Sequence, residues 1–440
     1  MIKHLKRFYA DSKVLMSAPA CDKSVKRIAL IFSTVALLGA SIGIPFTANI
    51  VYYGILLVSL MLLMYKGGFK LSAPFIALYI IIFLNIAITD IPPLFKPVQR
   101  TILFILLTMV CTSAMDTNIA VKFRAYLFRY TVFGLIIIGV GSFFCFFAGI
   151  NMMASRADMM SDFEKYSSTG GWFSGLATHS MMLGPIAMIS ALAFYFLYQK
   201  KTDKIYLLLF FASAMSAVFA ASRAALLGLV IAIVYNLVTG KVNAVIRKRM
   251  IGILTLSAIL SIPIAGIAFK GVLNKQAARE SQSEGLNSRQ DKFDYRIAEF
   301  KSSPILGVGF CAIDTTGGDR FDNRDGRIEP GTSHLSVLSM LGISGFAVYL
   351  VILYKAYANT KKMHTLHSRF VFTCFIAFFV HAWFEGYIFA AGGFLAYLYW
   401  LIIGQCIDCS RAYKMITKRD KKDVIVPRIG NTEVTGSHFP

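Results

Sequence analysis

The chain has 440 residues, of which 56% are hydrophobic and 15% are charged, and its formal net charge at pH 7 is +22. A water-soluble protein of this length does not carry so large an apolar fraction, so the composition excludes that class. The basic residues lie in short clusters between apolar stretches, and this arrangement indicates oriented membrane helices and no nucleic-acid partner.

The apolar stretches predict an all-α polytopic membrane protein with about twelve transmembrane helices, since each crossing takes roughly 20 residues. Nine predicted spans lie within residues 28–269, at 28–45, 47–64, 71–89, 101–115, 127–149, 176–198, 205–220, 222–239 and 250–269. Three more lie within residues 334–408, at 334–354, 370–389 and 391–408. The stretch from 205 to 239 would measure roughly 50 Å as one helix, so we predict a break around 221–223.

The segments outside the spans are a basic N-terminal tail (1–27), one large loop (270–333) and a basic C-terminal tail (409–440). With both termini in the cytoplasm, 30 of the 45 lysine and arginine residues fall on the inner side. All of the excess positive charge then lies on that side, as the positive-inside rule requires. The sequence therefore predicts cytoplasmic termini and an outer, periplasmic position for the large loop. The N-terminal tail shows no clear signal-peptide cleavage site, so we expect the first span to be retained.

Residues 288–303 of the large loop predict an amphipathic helix that Ser288 caps and Pro304 ends. Two guanidinium groups and two aromatic rings share one stripe of this helix, namely Arg289, Phe293, Arg296 and Phe300. Such a stripe suits a membrane surface beside anionic head groups. The alternative interpretation is an ordinary surface helix that covers the spans.

Ionisable residues gather at the predicted outer ends of the spans. Arg223 either snorkels to the interface or lines an outward-facing cavity, where its planar guanidinium would bind phosphate. His334 opens the span after the large loop, as either a capping residue or a general base. His381 and Glu385 are predicted to face each other one helical turn apart, as a functional or a structural pair. His179 starts another span at the same level.

Several kinds of catalytic site lack their motifs in this sequence. There is no Walker A pattern, no H-E-x-x-H and no D-x-D, and the acidic run at 319–326 does not match a calcium loop. We therefore expect no metal and no cofactor. An enzyme at this surface would use arginines and a base on a donor that carries its own leaving group.

The order of these features resembles the O-antigen ligase and O-antigen polymerase superfamily of bacterial inner membranes. The features are Arg223 before a span, Arg289 fifteen residues ahead of Pro304 in PILGVG, and His334 opening a span with Gly342 and Gly345 following. The resemblance covers roughly residues 165–355. It implies a metal-independent membrane glycosyltransferase whose donor is a glycan on undecaprenyl pyrophosphate. The implied acceptor is either lipid A core or another lipid-linked glycan.

The same resemblance implies a role for each candidate residue. Arg223 and Arg289 would bind the pyrophosphate and stabilise it as it leaves, and His334 would take the proton of the acceptor hydroxyl. The candidates for supporting roles are Arg296, His179, His381 and Glu385.

Two alternatives come from other functional classes. A secondary transporter or flippase of lipid-linked oligosaccharide should show polar positions that continue to the inner leaflet and helices broken near the midplane. A structural membrane subunit would leave the outer arginines and histidines replaceable.

Overall fold

The computed structural model describes residues 10–13, 15–41, 47–152, 173–240, 242–252, 255, 288–313 and 331–424. Within these ranges the chain is all-helical apart from turns and one isolated β-bridge between Leu71 and Met115. The helices are α1 Lys23–Ser41, α2 Thr47–Gly67, α3 Ala73–Ile88, α4 Pro97–Cys111, α5 Asn118–Phe147, α6 Ser180–Lys201, α7 Lys204–Phe219, α8 Arg223–Thr239, α9 Ser288–Ser302, α10 Ser333–Lys361, α11 Leu366–His381 and α12 Phe394–Val424. Residues 244–252 are also helical.

The helices identify a membrane protein. Among the described residues, six helical segments are long and apolar enough to cross a bilayer. Four further apolar helices, α3, α7, α8 and α11, contain 16 or 17 residues each. Eleven of the twelve predicted spans coincide with helices, and most of the remaining one, 250–269, lies outside the described residues. The predicted break is confirmed, because α7 ends at Phe219 and α8 begins at Arg223.

Two predicted boundaries are wrong near the C-terminus. The span predicted at 370–389 ends at His381, and the apolar segment 382–393 that follows is a loop with three glycines. The tail predicted from residue 409 begins as a helical extension, because α12 continues to Val424. Hydropathy falls from residue 409 onward. The helix itself does not stop there, because the Arg, Lys, Met and Ala residues that follow are good helix formers.

The helix ends meet at two opposite ends of the bundle. We call the end where α1 finishes and α10 begins the upper end, and the opposite end the lower end. At the upper end, the Thr178 amide donates to the Ala40 carbonyl at 2.8 Å and the Ser333 amide donates to the Ala382 carbonyl at 2.9 Å. At the lower end, Lys66 in the last turn of α2 pairs with Asp22 before α1 at 2.8 Å.

The centre of the bundle is α6, in which every residue from Leu183 to Tyr198 is buried. A helix that is apolar on all sides lies in a protein core or in lipid, and α6 is covered by protein because it packs against α5, α7, α8 and α11. By contrast, α2 exposes Leu57, Val58 and Met61. These side chains suit contact with lipid.

The lower end contains two ion pairs that the sequence analysis did not single out, and one of them is buried. Arg124 of α5 is fully buried, and its Nε donates to Asp408 of α12 at 2.6 Å. Its Nη1 also donates to the Met115 carbonyl at 3.1 Å. Arg411 pairs with Asp116 at 2.6 Å. These pairs join α12 to α5 and to the connection that precedes it.

Candidate functional site

The upper part of α10 is a broken helix. Gly342 lies nine residues after Ser333 and has φ 62° and ψ −167°, which interrupts the helical hydrogen bonds. Residues 304–309 bond to the open backbone groups on both sides of the break. The Val308 and Gly309 amides donate to the Ser339 and Met340 carbonyls at 2.9 and 3.3 Å. The Ile343 and Ser344 amides donate to the Pro304 and Ile305 carbonyls at 2.9 and 3.4 Å. Because no water satisfies an open backbone group in the hydrocarbon region, this exchange makes the break tolerable.

Asn85 of α3 ties this loop to α10. Its amide nitrogen donates to the Leu306 carbonyl at 2.6 Å and to the Met340 carbonyl at 3.2 Å, and its amide oxygen accepts from the Phe310 amide at 2.5 Å. The side chain is fully buried. The sequence analysis missed Asn85, although a lone amide in the apolar stretch of α3 is the kind of signal that marks an interhelical contact.

We expect Gly342→Ala to destabilise the protein strongly. An added Cβ would lie 2.3 Å from the Ile305 carbonyl oxygen, and this backbone conformation is nearly exclusive to glycine. The conformation alone costs about 1–3 kcal/mol in a residue with a side chain, and the clash adds to it. Thermal unfolding in detergent measures the effect. Gly39→Ala and Gly54→Ala are the controls, because both positions are helical and open; equal stability of all three variants would contradict the assignment.

His334 lies in the first turn of α10 with only 2% of its surface exposed. Its Nε2 is 3.0 Å from the Phe379 carbonyl oxygen, and its Nδ1 is 3.0 Å from the Tyr349 hydroxyl. Since a carbonyl only accepts, Nε2 carries the hydrogen and Nδ1 accepts from Tyr349. The Tyr349 hydroxyl in turn contacts the Tyr399 hydroxyl. His334 is thus the end of a buried chain of hydroxyl groups.

Arg223 begins α8 and is exposed at the upper end. One turn further on, α8 touches α11, where a Cβ on Gly228 would lie 2.7 Å from the Ala377 carbonyl oxygen. The two helices run in opposite directions, so Arg223 lies beside the end of α11. That end carries His381, whose Nδ1 is 3.1 Å from the Tyr387 hydroxyl.

The predicted position of Glu385 on the same helix as His381 is wrong, because α11 ends at His381 and Glu385 lies in the loop beyond it. The carbonyl oxygen of Glu385 accepts from the Ser333 hydroxyl at 2.7 Å. His179 is the N-cap of α6, where its Nδ1 accepts from the Met181 amide at 3.0 Å. Its contact is therefore that of a capping residue.

The amphipathic helix predicted at 288–303 is confirmed as α9. Arg296 does not lie on a surface stripe, since it is 1% exposed and its Nη1 donates to Glu299 at 2.6 Å and to Ser339 of α10 at 3.3 Å. The Arg296–Glu299 ion pair therefore faces α10, where the Ser339 hydroxyl accepts a hydrogen bond from Arg296. Arg289 lies in the first turn of α9, and its side chain is outside the described residues. Lys292 packs against Gly331, so this first turn lies beside the start of α10.

A cavity of about 470 Å³ lies at the upper end between α2, α4, α10 and the loop after α11. Its cationic lining residue is Arg100, in the first turn of α4, whose Nη1 donates to the Cys311 carbonyl at 3.4 Å. The sequence analysis missed Arg100, which immediately precedes the span predicted at 101–115. An arginine at a span boundary is often only an interface residue, so its position alone did not mark a cavity.

Within the described part of the chain, no group of three or more His, Cys, Asp and Glu side chains could hold a metal ion. No protein-family model matches the sequence, and no curated protein is significantly similar to it. The resemblance to the O-antigen ligase and polymerase superfamily therefore depends on Arg223, Arg289 and His334 with their spacing.

Proposed function

We propose that this protein is a membrane glycosyltransferase that moves a glycan from undecaprenyl pyrophosphate to an acceptor hydroxyl at the upper end of the bundle. The observation that carries the proposal is the gathering at this end of the first residue of α8, the first turn of α9 and the first turn of α10. These positions hold Arg223, Arg289 and His334. A cation pair and a base are the groups that such a transfer requires when no metal takes part.

The proposed reaction assigns one role to each residue. The acceptor oxygen attacks the anomeric carbon as the bond from that carbon to the pyrophosphate oxygen breaks. Arg223 and Arg289 neutralise the charge that develops on the leaving pyrophosphate. His334 takes the acceptor proton at Nδ1, which Tyr349 covers, so the proton passes through the Tyr349 hydroxyl.

The acceptor would be lipid A core in a ligase or another lipid-linked glycan in a polymerase, in the inner membrane of a bacterium. Deletion of the gene and gel analysis of surface polysaccharide separate the two. Lipid-linked polymer that never reaches lipid A indicates a ligase, and single repeats on the core indicate a polymerase.

A flippase or secondary transporter is the second candidate, and the broken helix α10 favours it, because such breaks form the binding sites of many transporters. The break at Gly342 lies in the upper half of this 29-residue helix, nine residues from its upper end and five from its middle. Precursor trapped in the inner leaflet after gene deletion would support transport and contradict transfer.

We expect Arg223→Lys and Arg289→Lys to lower specific activity while the protein level stays normal. Lysine keeps the charge but loses the planar fork that binds phosphate through two hydrogen bonds. Transfer from purified lipid-linked donor to acceptor in detergent, with chelator present, measures the effect. Arg296→Lys is the control: Arg296 is buried against Glu299, so its replacement should lower the protein level and not the activity per molecule. Equal specific losses in all three variants would contradict the assignment.

The proposed orientation places the lower end in the cytoplasm, following the positive-inside distribution. Single cysteines at Ala244 and Thr315, in a background that lacks Cys311, should therefore label differently with an impermeant thiol reagent. The cysteine at 315 should react in intact spheroplasts, and the cysteine at 244 only after lysis. Reaction at 244 before lysis would show that the orientation is wrong.

A further inference from the structure

Two of the residues assigned to transfer, Arg223 and His334, do not line the cavity beside Arg100. Ser336 and Met340 of α10 line it, whereas the His334 ring packs against Phe379 of α11 with ring centroids 4.7 Å apart. Side chains on a helix diverge by about 100° per residue, so the cavity and the histidine lie on different faces of α10. The helices that carry Arg223 and Arg100 also have different neighbours. The Arg223 helix, α8, packs on α6, α7 and α11, whereas the Arg100 helix, α4, packs on α2, α3, α5 and α12.

The walls of the cavity combine one cation with apolar surface. The guanidinium of Arg100 supplies several N–H donors in one plane, which suits a phosphate group. Leu103, Ile388 and Phe389 supply the apolar part of the wall. Cavities of this size, about 470 Å³, fall within the range of small-molecule sites.

Backbone groups complete the same wall. Gly392 and Gly393 line the cavity directly before α12 begins at Phe394. An added Cβ on Gly392 would lie 2.6 Å from the Tyr53 hydroxyl, so the loop approaches α2 closely and bounds the cavity on that side.

We propose that this cavity binds a phosphorylated lipid, with Arg100 contacting the phosphate and the apolar wall contacting the first part of the chain. This site is additional to the phosphate contact assigned to Arg223. It does not depend on the proposed transfer, because a lipid phosphate would bind here whether the protein transfers a glycan or transports one.

A reporter cysteine in the cavity wall tests the proposal. Ala390 lines the cavity and is exposed, so Ala390→Cys should react readily. Burial raises the pKa of the native Cys311 thiol to about 12, which makes that cysteine a slow competitor for the reagent. The measurement is the labelling rate at position 390, by mass spectrometry, in purified protein with farnesyl pyrophosphate, farnesol or inorganic pyrophosphate added.

Farnesyl pyrophosphate should slow labelling at concentrations where farnesol and inorganic pyrophosphate have little effect. Arg100→Gln should weaken this protection by roughly ten-fold or more, as expected for one charge-assisted hydrogen bond. Arg100→Lys should retain part of it, and it also covers the case in which Arg100→Gln folds poorly. Arg223→Gln is the matched control and should leave the protection unchanged.

Three results would overturn the proposal. Equal protection by farnesol would show an apolar site without phosphate recognition, and equal protection by inorganic pyrophosphate would show a site for free phosphate. Protection that does not respond to either Arg100 variant would show binding elsewhere. Because no transfer is measured, a failure of the proposed glycosyltransferase activity would leave this test unaffected.

Discussion

Arg124→Met is expected to destabilise the protein by roughly 3–5 kcal/mol, the cost of leaving one charge of a buried pair without its partner. Arg124 is fully buried, and its Nε lies 2.6 Å from the Asp408 carboxylate, which is itself 4% exposed. Asp408→Asn should lower the stability less than Arg124→Met does, because the amide oxygen can still accept one hydrogen bond from Arg124. Thermal unfolding in detergent and the amount of protein in the membrane measure both effects.

The double variant Arg124→Met/Asp408→Leu separates the cost of an unpaired charge from the value of the pair. Apolar residues of similar volume often replace a buried ion pair without loss, so the double variant should recover most of the stability. Lys66→Met is the matched control, because the Asp22–Lys66 pair lies at the same end but in solvent and should matter little. A double variant as unstable as Arg124→Met would show that the pair has a further structural role.

His334→Ala is expected to lower turnover by about 10²- to 10⁴-fold, the usual contribution of a positioned base, while lipid-linked donor still binds. The Nδ1 atom accepts from Tyr349, so Tyr349→Phe, which removes the hydroxyl and keeps the ring, should also lower kcat. Single-turnover transfer in detergent, together with donor binding, separates the chemical step from binding.

Two other histidines serve as controls for this prediction. His179→Ala removes the N-cap of α6, which typically costs about 1 kcal/mol of stability, and it should leave turnover per folded molecule unchanged. His381→Ala breaks the contact with the Tyr387 hydroxyl, and it should lower protein level and activity together. A well-folded His334→Ala protein with near-parental turnover would contradict the mechanism and leave Glu385 as the next candidate base.

Hydropathy predicted most of the helices, and local polarity predicted the break before Arg223, because both signals are contained in short stretches of sequence. The loop after His381 was missed, since an apolar loop and an apolar span have the same hydropathy. The partners of Asn85 and Arg124 were also missed. The Arg124 partner is 284 residues away, and a single sequence gives no information on which distant residues meet.

The candidate site was predicted in part. The helix starts at Arg223 and His334 were predicted because charged residues at span boundaries stand out against apolar sequence, and the start of α9 was predicted from its amphipathic pattern. The burial of His334 and Arg296 could not be foreseen, because burial depends on which face of a helix its neighbours cover. The cavity beside Arg100 is formed by five segments distant in the sequence, and no local pattern encodes it.

The break in α10 makes the native form of this helix conditional on another segment of the chain. A continuous α10 would satisfy its own backbone, whereas the break leaves the Ser339 and Met340 carbonyls and the Ile343 and Ser344 amides in need of partners. Residues 304–309 supply those partners, and each such group without one costs several kcal/mol in hydrocarbon. A substitution that displaces residues 304–309 should therefore also act on α10, by favouring the straight form of the span.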